Sequence, residues 1–364
     1  MTKKNEYFPE SVPHPGIDLA EKLEELRMGP KEFSIRTAKP EKTITAILNG
    51  QSSITPDTAI QFENVLKIPA HFWLNRQRSY DEYLARIKQV KVLEEAADWA
   101  SSFPILDMTK KGWIPKVSSI IEKTAIMLSF FSISNKKAWE DYYLNRELKV
   151  AFRISLAHCK NPYSISAWLR MGDIQFSRIN SVKYSEKIFK ASLKDLKKIM
   201  AEQPPDFFRK LKDICLNAGV KVVFTPCIHG SPISGAARWI NDTPLIQLSN
   251  RFKRNDSFWF TFFHEAGHIL LHGKKDIFLE DVRYTDYIDE KEKEANDFAA
   301  KWTLAVEQEQ EILKITPLQP ADITKFAKKF GTHPGIIIGR LHYLKKMPPT
   351  KGREFIIPID LENI

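Results

Sequence analysis

The chain has no run of about 18 uncharged apolar residues, the length a membrane-crossing helix needs, and its opening MTKKNEYFPESVPHPG has no apolar leader core. Both absences argue against membrane spanning and secretion, and the expectation is a cytoplasmic protein with no membrane partner. Cysteine is scarce as well. Cys159, Cys215 and Cys227 are few and far apart, which excludes a disulfide framework, a zinc ribbon and a paired redox motif and predicts reduced, buried thiols. Apolar material, by contrast, is ample. The 364 residues are 43% hydrophobic, 11% aromatic and 27% charged, enough for sizeable cores and unlike a disordered or fibrous chain. At about 100–200 residues per domain, two or three domains are expected.

Acidic residues fall short of basic ones, 45 against 55, and the shortfall is local. Residues 101–200 carry 18 Lys+Arg against 8 Asp+Glu, which supplies the whole net charge of +10. A polyanion-binding surface would be sought there, beside the plainer reading of a solvated, lysine-rich helical face.

From Pro15 to Leu74 apolar residues recur at helical spacing in short bursts separated by breakers. Ile17, Leu19, Leu23 and Leu26 mark one amphipathic helix, stopped by Gly29-Pro30. A short helix from Pro30 to Thr37, a tight turn at Ala38-Lys39 and a helix from Pro40 to about Leu48 follow, the last ended by Asn49-Gly50. Thr55-Pro56-Asp57 opens a fourth helix with Ala59, Phe62, Val65 and Leu66 inward, and Ile68-Pro69 a fifth bearing Phe72, Trp73 and Leu74. Two short helices around a tight turn are what a reader of the DNA major groove requires.

The run His14-Pro15-Gly16, followed by EKTITAILNGQSSITPDTAIQFENVLKIPAHFWLN over residues 41–75, resembles the antitoxin-type helix-turn-helix proteins called HigA across about 65 residues. The resemblance implies double-stranded DNA as partner, with Lys39, Glu41, Lys42, Thr43 and Thr45 as contacts. An exposed polar helix start is the plain alternative for these five. Where members of that group carry Gln, Gly and Ser, this chain has Pro30, Ala38 and Pro40, and a proline donates no hydrogen bond to a phosphate.

Residues 76–100 read as a linking helix with Tyr80, Tyr83, Leu84 and Ile87 on one stripe, and residues 101–200 as helical throughout. Trp139, Tyr142, Tyr143, Phe152 and Ile154 continue this style, read as core rather than ligand box, and Pro204-Pro205 marks a boundary. Beyond it a helix (Phe207 to Ala218) precedes strand-like runs at Val220–Phe224, Ser234–Ile240 and Leu245–Leu248, with Asn241-Asp242 as a turn. The Leu245–Leu248 strand is also a candidate edge for an extended peptide.

SFWFTFFHEAGHILLHG is apolar at nearly every position except His264, Glu265, His268 and His272, and polar groups in such a helix need partners or a metal. Within it His264-Glu265-Ala266-Gly267-His268 is an H-E-x-x-H pattern. Residues four apart share a helix face about 6 Å apart in rise, so both imidazoles reach one zinc while Glu265 stands beside it as general base. A third ligand is sought in the acidic helix DEKEKEANDFAAKWTL, where Glu290, Glu292 and Glu294 each lie at a different angle. His272 continues the four-residue series but lies about 12 Å in rise from His264, too far to share its metal, and is read as capping the helix end. His229 reads as a loop residue or an aid to the oxyanion, Tyr284 and Tyr287 as candidate donors to a tetrahedral intermediate, and Asn296 or Asp297 either as a group orienting a metal-bound His or as a solvent-facing residue.

FHEAGHILLH, with ExEANDFAA placing Glu294 26 residues after His268 and ITKFAKKFGTHPGIIIGRLHYL closing the region, resembles the ImmA/IrrE metallopeptidase family over about residues 203–345. The resemblance implies a gluzincin-like zinc site with His264, His268 and Glu294 as ligands, Glu265 as catalytic base, and cleavage of a transcriptional repressor as the usual task.

The expected fold class is α+β, mostly α. It comprises a five-helix helix-turn-helix domain at 1–80, a helical linker and middle domain at 81–202, a zincin-like metallopeptidase domain of a small sheet plus helices at 203–345, and a tail at 346–364. The expected function is a DNA-binding regulator whose zinc-dependent endopeptidase domain cleaves a repressor or other regulatory protein. The alternative is an antitoxin-like transcriptional repressor whose metallopeptidase-like domain binds a partner or toxin without turnover. One Zn2+ per chain is the expected cofactor, with Mn2+ as another divalent metal the set could take, and a homodimer is one candidate assembly.

Overall fold

The computed structural model describes residues 9, 11–147, 161–231, 233–251, 253–272, 278–279, 286–315 and 317–361, and divides into two compact units, Met1–Glu95 and Ala96–Ile364. Cys159, Phe152, Ile154 and Tyr284 lie outside the described residues. Among the described residues no helix is long and apolar enough to cross a membrane.

The first unit consists of α1 (Pro15–Glu25), α2 (Pro30–Arg36), α3 (Glu41–Leu48), α4 (Pro56–Leu66) and α5 (Ala70–Glu95). Side chains cap the orphan amides at two starts: His14 Nδ1 accepts from Gly16 N at 2.9 Å, and Thr55 Oγ1 from Thr58 N. Leu19, Leu23, Phe33, Ile44, Ile47, Phe62 and Trp73 form the core. Ile17 and Leu26, which belong to the expected apolar stripe of the first helix, stand exposed instead. The expected boundary at residue 80 falls inside α5, because no breaker interrupts it before Glu95. Arg76 ties α5 to Asp18 of α1 through two hydrogen bonds at 2.7 and 2.9 Å, and buried Gln77 accepts from Ile54 N.

The second unit opens with α6 (Ala97–Ser101), α7 (Ile105–Lys110), α8 (Ile120–Phe131), α9 (Lys136–Trp139) and a π-helical stretch, Glu140–Glu147. Then come α10 (Pro162–Ser177), α11 (Glu186–Glu202), α12 (Phe207–Asn217), β1 (Lys221–Phe224), β2 (Gly235–Ile240), β3 (Thr243–Leu248), α13 (Asn255–Leu271), β4 (Phe278–Leu279), α14 (Asp286–Thr303), α15 (Val306–Leu313), α16 (Pro320–Phe330) and α17 (Pro334–Tyr343). The sheet order is β1-β3-β2-β4, with β1 and β3 parallel and the other pairs antiparallel. Asn241 and Asp242 both have positive φ, 48° and 63°, giving the β2–β3 hairpin its two-residue turn.

The two sheet faces differ in chemistry. Val222, Ala237, Ile246 and Leu248 join the apolar core shared with α13. On the alternate positions, Gln247 donates to Trp168 O, Arg238 binds Leu169 O and Asp173, and Lys221 donates to Phe176 O, so α10 is held by polar bonds. Burial in that core also joins Phe189, Leu193, Leu196 and Met200 of α11 to Phe207 and Leu211 of α12. The expected break between residues 202 and 203 therefore separates no units: the basic middle region is built onto the sheet. The expected tail is likewise part of the fold. Ile359 and Leu361 are buried, and Asn255 at the start of α13 exchanges hydrogen bonds with Ile357 in both directions.

Candidate metal centre

Helix α13 is buried from Phe258 through Ile269 except Phe260, an environment that its sequence, apolar on all sides, requires. His264, Glu265 and His268 lie within it, none more than 1% exposed. Their four-residue spacing brings His264 Nε2 and His268 Nε2 to 2.9 Å.

The third group comes from α14. Glu292 Oε2 lies 3.1 Å from His264 Nε2 and its Oε1 3.4 Å from His268 Nε2, and the three ligand atoms lie within 4.8 Å of one another. Here the structure corrects the expectation of Glu294. Ala295 and Ala299, both fully buried, and Asn296, bonded to His264, mark the stripe of α14 that faces α13. Glu292 lies three and four residues from Ala295 and Asn296, on that stripe, whereas Glu294 is rotated from it by about 200°. Glu294 is more than half exposed and meets His272 Nε2 at 2.9 Å instead. Glu290 is exposed and stands outside the group.

The outward ring nitrogens have their own partners. His264 Nδ1 lies 3.1 Å from Asn296 Oδ1, and His268 Nδ1 lies 2.9 Å from His272 Nδ1. If Asn296 presents its oxygen, His264 carries its proton on Nδ1 and turns a bare Nε2 toward the centre. Burial keeps His268 neutral, pushing its pKa down to about 3 against the pull of Glu292. Burial opposes charge on Glu292 too, yet the close imidazoles of His264 and His268 outweigh it and hold this carboxyl down to about 2. A neutral His268 beside an ionised Glu292 is the protonation state a divalent cation needs.

Glu265 is fully buried beside this group, one residue around the helix. The close approach of β2 depends on Gly235: a Cβ there would stand 2.7 Å from Glu265 Oε1. The other candidates fall elsewhere. His229 sits in an exposed loop, its amide donating to Asp107, while Asp297 is exposed on α14. The Tyr287 side chain lies outside the described residues. Sequence names Glu292 only as a rival to Glu294, and it does not show the bridging place of His272. The signal available was the spacing of Glu292 and Asn296, four apart like His264 and His268.

In the first unit α2 and α3 meet at a turn where Ala38 adopts a left-handed φ of 52°. Glu41, Lys42 and Thr45 are exposed on α3, Lys39 and Thr43 are half-buried, and Ile44 and Ile47 face the core.

Residues 215–342 match the family described as Peptidase_M78, IrrE N-terminal-like domain. The uncharacterized HTH-type transcriptional regulator YddM of Escherichia coli (strain K12) is 31% identical over 68 residues, 19% of this chain and 72% of that protein. An addiction module antidote protein of the HigA family from Coxiella burnetii is 40% identical, covering 23% of this chain and 92% of that one, with a TM-score of 0.22. Pseudomonas aeruginosa antitoxin HigA, solved with the higBA promoter, is 28% identical over 23% of this chain and 94% of its own, also with a TM-score of 0.22.

Proposed function

With its N-terminal unit the chain belongs to the HTH-type transcriptional regulators, and it carries an IrrE N-terminal-like domain at residues 215–342; from that premise we propose a DNA-binding regulator whose second unit is a zinc-dependent endopeptidase acting on a repressor or other regulatory protein. The observation that carries the hydrolytic half is the convergence of His264, His268 and Glu292 within 4.8 Å, with Glu265 buried beside them. Two imidazoles and one carboxylate are the donor set of hydrolytic zinc sites and leave a fourth position open.

Zinc held there would act as a Lewis acid toward the scissile carbonyl and the attacking water. Glu265 serves as the base: its carboxylate takes a proton from that water and returns it to the amine nitrogen as the C–N bond breaks. Gly235 leaves the Glu265 carboxylate its room, and Asn296 fixes the ring of His264. In the DNA-binding half, exposed Glu41, Lys42 and Thr45 on α3 are the groups offered to a groove.

Elemental analysis of the full chain purified without chelator tests the centre. We expect about one zinc per chain, lost in His264→Ala and Glu292→Ala and kept in Glu265→Gln, which should no longer cut its target. Absence of metal in the wild type even after zinc addition would leave a DNA-binding scaffold and end the hydrolase reading. A promoter fragment bound with steep salt dependence, weakened by Lys42→Ala, tests the reader.

A further inference from the structure

The residue expected to bind metal directly is placed one step further out, and its contacts form a chain. Glu294 Oε2 lies 2.9 Å from His272 Nε2, and His272 Nδ1 lies 2.9 Å from His268 Nδ1. The His272 side chain is only 2% exposed, so this bridge is an interior element although its carboxylate end reaches solvent.

The order of protons along such a chain follows from its outer end. An ionised carboxylate accepts only, so His272 must donate from Nε2. A neutral His272 then has a bare Nδ1, which can only accept, and His268 must donate to it from its own Nδ1. That leaves His268 Nε2 as a lone pair aimed at Glu292 and His264, the orientation a metal ligand needs.

We propose that Glu294 and His272 are positioning residues that set the tautomer and ring orientation of His268 through a Glu294–His272–His268 hydrogen-bond chain. The proposal rests on the zinc reading above for its purpose, and on the ring contacts alone for its geometry. It gives the histidine at the end of α13 a task that its distance from His264 along the helix conceals. Partners of this kind stiffen a ligand and raise its basicity without touching the ion.

The test uses the full chain, with Zn2+ as the probe in chelator competition and 15N-labelled histidine to read tautomers in the metal-free protein. We expect His272→Phe to weaken zinc binding about 10–100-fold while the melting midpoint of the metal-free protein stays unchanged. Glu294→Gln, whose amide oxygen still accepts from His272, should stay near wild type, and Glu294→Ala should fall between the two. Metal-free wild type should show His268 protonated at Nδ1, and His272→Phe a mixture of tautomers.

A merely structural His272 would shift the melting midpoint and leave the tautomer alone. Zinc affinity unchanged in His272→Phe, or His268 protonated at Nε2 in the wild type, overturns the proposal. So does a loss in Glu294→Gln as deep as that in Glu292→Gln, which would make Glu294 a ligand. Failure of the wild type to bind zinc would instead strike the hydrolase reading, with the tautomer still deciding the chain of contacts.

Discussion

The molecule contains the same helix-turn-helix geometry twice, once in each unit, and the two copies have opposite surroundings. In α2–α3 and α16–α17, Ala38 and Gly331 hold left-handed turns with φ of 52° and 60°. The next amide reaches back identically, Lys39 to Ser34 O and Thr332 to Ala327 O, both at 3.0 Å. Phe33 matches buried Phe326, and Ile44 matches Ile337, each of these isoleucines fully buried. At the following positions they part. Thr45 is exposed where Ile338 is fully buried, and Lys42 is exposed where Gly335 presses against the carbonyl of Phe355. One second helix keeps a polar face exposed; the other spends that face on packing within the second unit, where Gly335 also abuts Asn255 at the start of α13. The lesson is that the turn and inner face make the motif, while the outer face decides its use.

The matched isoleucines give the largest expected effects. Ile44→Ala and Ile337→Ala should each cost about 3 kcal/mol, measured by denaturant unfolding with a probe in each unit. The first should weaken DNA retention and the second zinc retention; equal damage to both properties by either variant would break the comparison.

Exchanging the outer residues should be strongly asymmetric. Ile338→Thr should cost about 2 kcal/mol by burying a hydroxyl and losing apolar packing, whereas Thr45→Ile should change stability by less than about 0.5 kcal/mol and be felt only in DNA binding. Equal stability losses would mean that α3 is covered as α17 is.

The turns come next. Ala38→Gly should stabilise the first unit by about 1 kcal/mol and Gly331→Ala destabilise the second by a similar amount, because a Cβ strains the left-handed conformation. Opposite signs in thermal melts are the readout.

The smallest effect is shared by both units. His14 and His333 each accept at Nδ1 from the glycine amide two residues on, and burial lowers the pKa of both, against the pull of Asp81 in the case of His14. Below the unfolded value of about 6.5 the unfolded chain binds these protons first, so stability falls as pH drops and is fully present above it. His14→Asn should flatten this slope in the first unit alone, read as the melting midpoint from pH 8 to pH 5.

Much of this was legible beforehand, for identifiable reasons. Helix starts carry their own chemistry: Pro15, Pro30 and Pro56 each open the helix that sequence assigned. Likewise, the four-residue spacing of His264 and His268 fixes one shared face whatever surrounds it. Sequence ranks Glu294 above Glu292 because three glutamates at alternate positions differ only in rotation, and the partner helix chooses among them. The unity of residues 96–361 was hidden for a related reason. Gln247, Arg238 and Lys221 look like surface residues until α10 supplies the acceptors that bury them. Ile17 and Leu26 fit the helical stripe at α1, yet so small a unit has too little interior to cover every apolar residue on it.

The bond between Asn255 and Ile357 spans 102 positions, and it gives the molecule a timetable. A ribosome adding about 5–20 residues per second needs on the order of tens of seconds to pass from the end of α5 to residue 361. The first unit has its whole core in hand throughout that interval, while α13 waits for the segment that closes its beginning. A nonsense mutation shortly before Ile357 would therefore release a product with the first unit intact and α13 open at its start, one able to compete with full-length chains wherever the first unit binds.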